Sequence, residues 1–362
     1  MNILKPYFLL LIVLLATNLM QAQDYNIFRK KWTDVALNMP IKWYGSDESK
    51  RIAGNVLLYQ RNIGGWPKNI AFHAILSVSD KEKILKEKSI NDAIFDNGAT
   101  TTEIRFLSTM YQKTGNEAYM DAALKGVQFI LKAQYENGGW PMFYPLHKGY
   151  YTHITFNDDA IFRLMELLKD IYSKKAQFAY ITDPKLITDC QNAWERGLQC
   201  ILKTQIVVNG KPTVWCAQHD EVTFKPAKAR AYELPSFSGS ESVGLLEILM
   251  EIKNPSPEVI NAVQGAVEWF EAHKILNVKV ETYTGSDGKP DKRVVTSPDA
   301  SLLWARFYDL ETGQPFFCDR DGIKKDKLEE IGYERRNGYG WYTDRPQKTL
   351  DKYPAWKAKW VK

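Results

Sequence analysis

The sequence predicts an all-α fold, an α/α toroid of three helix–loop–helix units whose long irregular loops gather at one end. Three observations carry that expectation: a repeat of more than 70 residues, helix-period apolar runs behind helix-start signatures, and a scarcity of strand alternation. The segments Gly126-Val-Gln-Phe-Ile-Leu-Lys-Ala-Gln134 and Gly197-Leu-Gln-Cys-Ile-Leu-Lys-Thr-Gln205 lie 71 residues apart. A third, Val56-Leu-Leu-Tyr-Gln60, ends 74 residues before Gln134. Each runs into a Trp-bearing loop: Gly64-Gly-Trp66-Pro67, Gly138-Gly-Trp140-Pro141 and the stretch holding Trp215. A period that long suits a helical hairpin plus an extended loop rather than a small solenoid repeat.

The following element of each unit opens on a capping-box pattern or a close variant: Thr100-x-x-Glu103, Thr155-x-x-Asp158, Ser238-x-x-Glu241. Apolar residues then recur at helical spacing, as Ile104/Leu107/Met110/Tyr111, Ile161/Leu164/Met165/Leu168/Ile171 and Leu245/Leu246/Leu249/Met250. Partner helices follow, one through Met120–Leu131 and another over roughly 256–273. Only Val278-Lys-Val280 and Arg293-Val-Val295 read as strands, forming one small hairpin. Antiparallel hairpins joined in this way put three helix N-termini at one end, where the loops 64–99, 138–157 and 207–237 converge.

Composition narrows the function. With 362 residues, 44% hydrophobic and 25% charged, the chain is ordinary globular protein and not a disordered or fibrous one. The net charge of +5 is spread along the chain, without the basic stripe of a nucleic-acid binder. Four cysteines (Cys190, Cys200, Cys216, Cys318) are too few for a disulfide scaffold and lack zinc-site spacing. Lys5, the apolar run Phe8–Ala16 and the small-residue stretch ending at Ala22 read as a signal peptide over 1–22. Residues 23–362 then form a single exported domain, in the periplasm or the medium. No later stretch reaches the ~18 apolar residues a membrane span needs.

The loop end carries the polar chemistry. Asp96-Asn97-Gly98 precedes one helix and Asn157-Asp158-Asp159 opens the next. The third loop reads Trp215-Cys-Ala-Gln-His219-Asp-Glu221, then Lys225-Pro-Ala-Lys228-Ala-Arg230-Ala-Tyr232-Glu233. Clustered carboxylates and amides suit a hard cation such as calcium, and the neighbouring Lys and Arg suit a polyanion. Plainer roles exist for each: Asp96 and Asp158 as helix caps, His219 as a hydrogen-bonding residue, Trp66 and Trp140 as core wedges rather than sugar platforms. Arg230 on its own reads as an ordinary surface residue.

Taken together, these motifs resemble the family-10 pectate lyases. The carriers are Gly64-Gly-Trp-Pro-Lys-Asn69, Asp96-Asn-Gly-Ala-Thr-Thr-Thr-Glu103, Asn137-Gly-Gly-Trp-Pro-Met-Phe-Tyr-Pro145 and Tyr151-Thr-His-Ile-Thr-Phe-Asn-Asp-Asp159. The long Pro212–Ser236 stretch, Trp304-Ala-Arg-Phe-Tyr308, Asp319-Arg-Asp-Gly322 and Glu334-Arg-Arg-Asn-Gly-Tyr339 extend the likeness over roughly residues 50–345. The resemblance implies an (α/α)₃ toroid with its loops forming the substrate groove. It also implies a monomeric, calcium-dependent enzyme that cleaves polygalacturonate and oligogalacturonides by β-elimination. Removal of the proton on carbon 5 expels the glycosidic oxygen from carbon 4 and leaves a 4,5-unsaturated product. On the matching motifs, Arg230 is implied as the catalytic base and Asp96 and Asp158 as calcium ligands, with Asp159 as the alternative to Asp158. Asn97, Lys225 and Arg320 are implied as substrate-binding, with Arg306 competing with Arg320.

The chemistry is coherent. Calcium and cationic side chains on the uronate carboxylate offset the charge that develops beside it. Arginine, with a pKa above ~12, becomes a base only if calcium, Lys225 or Lys228, and desolvation depress that value. Two other readings fit the residues: an inverting glycoside hydrolase using Asp96 and Asp158 about 6.5–9.5 Å apart, and a non-catalytic pectin-binding protein.

Overall fold

The structure is a computed structural model and describes residues 27–361. The expected signal peptide, residues 1–22, lies outside them. Seven helices make the frame: α1 (Asp47–Tyr59), α2 (Thr101–Thr114), α3 (Glu117–Ala133), α4 (Ala160–Tyr172), α5 (Pro184–Thr204), α6 (Glu241–Met250) and α7 (Pro257–Ala272). α2 and α3, α4 and α5, and α6 and α7 pair as hairpins, with α1 packed on α2 and α3. α2, α4 and α6 follow one another on the inside, while α1, α3, α5 and α7 form the outer row. This is the (α/α)₃ toroid that the repeat predicts.

Local chemistry sets the helix ends. Ser46 and Ser256 accept from the backbone of Ser49 and Val259, Asn116 from Ala118 and Asp183 from Lys185, each covering an orphan N–H. Gly115, at φ 68°, closes α2 in the left-handed conformation and lets the chain reverse into α3. α6 is apolar nearly all round, so it is buried on nearly every face.

The repeat has a physical cause. Trp66, Trp140 and Trp215 are fully buried. Each indole N–H donates back to a carbonyl of the preceding helix: Val56 at 2.8 Å, Ile130 at 3.0 Å, Ile201 at 2.7 Å. Gln60, Gln134 and Gln205 each donate twice, to their own loop and to the neighbouring helix at Ala122, Ala193 and Ala262. A glycine makes room where Trp66 and Trp140 lie against the neighbouring helix. A Cβ on Gly126 would stand 2.9 Å from Trp66 and 2.7 Å from Ile104, and one on Gly197 would stand 3.1 Å from Trp140 and 2.5 Å from Met165. These tryptophans are core wedges, not exposed sugar platforms. Trp304 repeats the device on α7, donating to Phe270 at 2.8 Å.

Two of the three expected capping boxes are built differently. Thr100, at φ 69°, makes no cap; its hydroxyl donates to Ile94 O and accepts from Trp66 N, stapling the loop. Thr155 belongs to a short strand, and α4 instead follows left-handed Asp159. At Ser238 the geometry is close to the expectation, since its hydroxyl accepts from Glu241 N at 3.0 Å and donates to the Glu241 carboxylate.

The loops converge as predicted. Ile94 bridges Phe143, and β1 (Ile154–Thr155) pairs antiparallel with β2 (Gln218–His219). β3 (Phe237–Ser238) pairs with β6 (Phe307–Tyr308), after the hairpin β4 (Val278–Thr284) and β5 (Pro290–Thr296). A smaller core around Tyr232, Phe307, Phe317 and Trp341 underlies the third loop, separate from the helical core. All four cysteines are buried and free.

Candidate active site

Two short turns form the floor of the site. Asp96–Gly98 leads into α2 and Asn157–Asp159 into α4, and the two pack on each other. Asn97, Asp158 and Asp159 take φ of 54°, 49° and 61°, a region that Asn and Asp tolerate better than other side chains. The consequence is functional. Neither Asp96 nor Asp158 caps its helix, so both carboxyls are available for tertiary contacts.

Asp96 is buried, and its Oδ2 lies 2.5 Å from Lys68 Nζ. Asn157 Nδ2 bridges the acids, 3.4 Å from Asp96 Oδ1 and 3.0 Å from Asp158 Oδ2. Burial pushes the Asp96 carboxyl above its ordinary value; Lys68 pulls against that and nearby Asp158 adds to it. Arg306 donates to Asp158 Oδ1 and Asn157 Oδ1, each at 3.1 Å, and to the buried Glu241 carboxylate. Burial opposes the Arg306 charge, but Glu241, Tyr339 and Asp158 outweigh it and hold the guanidinium protonated. Asp159 turns away, to Arg345 at 3.0 Å. Asp158, not Asp159, therefore shares the cluster with Asp96.

Arg230 stands beyond Arg306. Its guanidinium is doubly bonded to the Glu233 carboxylate, with Nε 2.8 Å from Oε2, and rests 4.9 Å from the Tyr232 ring centroid. Tyr339 joins the two arginines: its hydroxyl donates to Glu233 at 2.8 Å, and its ring lies 4.6 Å from Arg306 and 5.8 Å from Arg230. The Glu233 bonds raise the Arg230 pKa, opposite to the depression expected from Lys225 and Lys228. The reason is placement: a buried carboxylate three residues away touches the guanidinium, while both lysines point into the exposed part of the loop.

A groove of about 740 Å³ opens beside the acids, lined by Lys68, Asn97, Asp158, Asp159, Arg163 and Arg345 among others. Arg230, Glu233 and Tyr339 do not line it. The structure thus brings Asp96, Asn97 and Asp158 together, with Arg230 reached through Arg306 and Tyr339. Lys225 is exposed. Arg320 is also exposed and bonds Glu334 at 3.1 and 3.3 Å, a carboxylate shared with Arg335, which packs 4.5 Å from the Tyr232 ring. Arg320 therefore borders the Arg230 cluster, and Arg306 sits on the acids themselves.

Sequence reasoning assigned no role to Lys68, Arg163, Glu233 and Glu241, which the structure places at or beside the acids and Arg230, and named Asn157 only as part of its Asn-Asp-Asp run. Lys68 and Glu233 lie inside motifs already singled out, and Glu241 was read only as a cap. His219 is structural. Burial lowers its pKa to about 4, and the neutral ring meets Phe224 O at 2.8 Å and Cys216 N at 3.0 Å.

The oxygen donors around the acids suit a hard cation. Two carboxylates and the Asn97 amide, with Asn157 turning its Nδ2 to the acids and its Oδ1 to Arg306, fall short of the 6–8 oxygens roughly expected for calcium, leaving places for water and a substrate carboxylate. Among the described residues the grouping of three ionisable ligand atoms is elsewhere, at His153, Asp220 and Glu221 on the β1–β2 edge.

A family model described as pectic acid lyase matches residues 60–350. Among solved structures, the chain is similar to a mutant of the family 10 polysaccharide lyase from Cellvibrio cellulosa in complex with trigalacturonic acid. That match has 35% identity over 90% of this chain and 95% of the other, with a TM-score of 0.77. The family 10 polysaccharide lyase from Cellvibrio cellulosa matches at 35% identity over 87% and 95% of the two chains, with a TM-score of 0.73. No curated protein matches the chain. With sequence and fold in agreement over most of its length, the chain belongs to the family 10 polysaccharide lyases and is a polysaccharide lyase enzyme.

Proposed function

We propose that the enzyme is a pectate lyase, cleaving de-esterified polygalacturonate by calcium-assisted β-elimination to 4,5-unsaturated oligogalacturonides. The observation that carries this reading is the contact of the acid pair Asp96 and Asp158 with a run of cations, Lys68 on one side and Arg306 leading to Arg230 on the other. Such a site accepts a polyanion and concentrates positive charge where a uronate carboxylate gains negative charge in the transition state. The similar Cellvibrio cellulosa structure with trigalacturonic acid, and the pectic acid lyase match, support the same substrate class.

Asp96 and Asp158 would hold the calcium, with Asn97 and Asn157 beside them. Calcium, when bound, supplies Lewis-acid stabilisation of the substrate carboxylate. Lys68 and Arg306 pair with the two acids and orient them. Arg230 takes the carbon 5 proton at a guanidine nitrogen. The C–H electrons form the carbon 4–carbon 5 double bond as the carbon 4–oxygen bond breaks, its electron pair leaving on the glycosidic oxygen, which takes a proton from water to become a hydroxyl. For this, Arg230 must give up a proton and its grip on Glu233 as substrate enters, so the rate rises with pH. Asn97, Lys225 and Arg320 would hold further carboxylates and hydroxyls.

A second reading is favoured by the Glu233 contact itself. In it Arg230 stays protonated and clamps the uronate carboxylate, while another group accepts the proton. One amide, Asn157 Nδ2, contacts both the Asp96 and the Asp158 carboxyl at 3.4 and 3.0 Å, so the pair is drawn together rather than held apart around a water as in an inverting hydrolase. Export after loss of residues 1–22, and action as a monomer, belong to the same proposal.

The test is incubation with polygalacturonate, with and without a chelator, while ultraviolet absorbance is followed. Absorbance that appears only with calcium supports pectate lyase action. Reducing ends without absorbance, or no product, would reject it.

A further inference from the structure

The groove beside the acid pair holds more polar capacity than the pair uses. Lys68 is taken up by Asp96 and Arg345 by Asp159. Arg163, in the first turn of α4, instead lies across the Asp96–Gly98 turn. Gly98 leaves it room, since a Cβ there would stand 3.5 Å from the Arg163 Nε and 3.1 Å from Thr102 Oγ1. That Nε is shut off from water without a hydrogen-bond partner among the described residues.

The same wall carries His73 and Glu103, 5% and 1% exposed. Both are closed off from the groove, so the part of this wall open to a ligand is the half-buried Arg163 guanidinium, which makes no ion pair among the described residues. A ligand bearing negative charge would pair with it.

The order of groups gives direction. Arg230 and Tyr339 lie beyond Arg306 from Asp158, and the groove runs from Glu241, the partner of Arg306, past Asp158 to Lys68. A chain that reaches Arg230 and continues past Asp158 enters the groove. We propose that the groove is a run of accessory subsites for galacturonate residues beyond the cleaved bond, with Arg163 binding a substrate carboxylate there. This rests on the pectate reading above and adds to it a site that sorts substrates by length. A guanidinium is suited to the task because it meets a carboxylate with two parallel donors.

The experiment compares initial rates on trigalacturonate and hexagalacturonate for the wild type and Arg163→Ala, with Arg163→Lys as partial rescue. Losing one charge-assisted contact should raise KM for the hexamer about tenfold or more and for the trimer by less than about threefold. The lysine variant should fall between. Equal KM changes on both substrates, or a loss confined to kcat, overturn the subsite and leave the pectate reading standing. Failure of the wild type to cleave either oligomer overturns the pectate reading, and the subsite with it. Should Arg163→Ala not fold by circular dichroism, Arg163→Gln, which keeps most of the bulk and removes the charge, is held to the same length-dependent pattern.

Discussion

Arg306 Nη2 lies 3.1 Å from Asp158 Oδ1 while also bonding the buried Glu241 carboxylate, so one guanidinium serves a groove acid and a core acid together. Burial alone pushes the Glu241 carboxyl upward, and Arg306 is the main force opposing that. Arg306→Ala would leave Glu241 unpaired in the core, which costs about 3–5 kcal/mol. We expect a large fall in melting temperature together with loss of lyase activity. Arg306→Ala/Glu241→Gln should recover much of the stability but not the activity, as read by calorimetry beside the absorbance assay.

Arg230→Ala should reduce turnover by about a thousandfold or more while oligogalacturonate binding stays within roughly tenfold. Binding by calorimetry and rates by absorbance separate the two. If Arg230 is the base, the wild-type rate climbs from about pH 7 toward 10. A profile flat or falling across that range would favour the clamp reading.

Metal binding is testable without turnover. Calcium should raise the melting temperature of the wild type and have little effect on Asp96→Asn/Asp158→Asn. A saturating ligand at about 100 times its Kd stabilises by ~2.7 kcal/mol. Equal stabilisation of both proteins would remove the acid pair from the calcium site.

Glu103 makes stability depend on pH in a stated direction. Its folded pKa of about 7 exceeds its unfolded value near 4.5, so between these pH values the folded state holds the extra proton. Its contribution is therefore greatest below about pH 4.5 and is lost as pH rises through about 7, by roughly 3 kcal/mol. Glu103→Gln keeps an acceptor for the Trp32 indole N–H, now 2.7 Å from Oε1. It should be more stable than the wild type at pH 8 and differ little at pH 4, measured by urea unfolding.

Trp140→Ala removes both a buried indole and its bond to Ile130, and should cost about 3–5 kcal/mol. Trp140→Phe should cost less, with catalysis retained wherever the protein folds. A neutral effect on thermal unfolding would contradict the wedge role.

The helical frame was legible along the chain. The Gln and Trp of each unit recur because each makes the same two joints, a side-chain amide to the next helix and an indole to the preceding one, and such joints fix spacing along the chain. The sequence also marked Asp96, Asn97 and Asp158, through the clustering of carboxylates and amides before two helices and the motifs they stand in; the left-handed turns at Asn97 and Asp158 appeared only in the structure. Tertiary structure alone decided their company. Arg306 reaches Asp158 across 148 residues and Tyr339 reaches Glu233 across 106, and no local pattern records a contact of that span. The same holds for the charge on Arg230: the nearby lysines along the chain argued for a depressed pKa, but burial placed Glu233 on the guanidinium and left the lysines in solvent. Periodicity is written in neighbouring residues; electrostatics depends on distance in space, which only the closed fold sets.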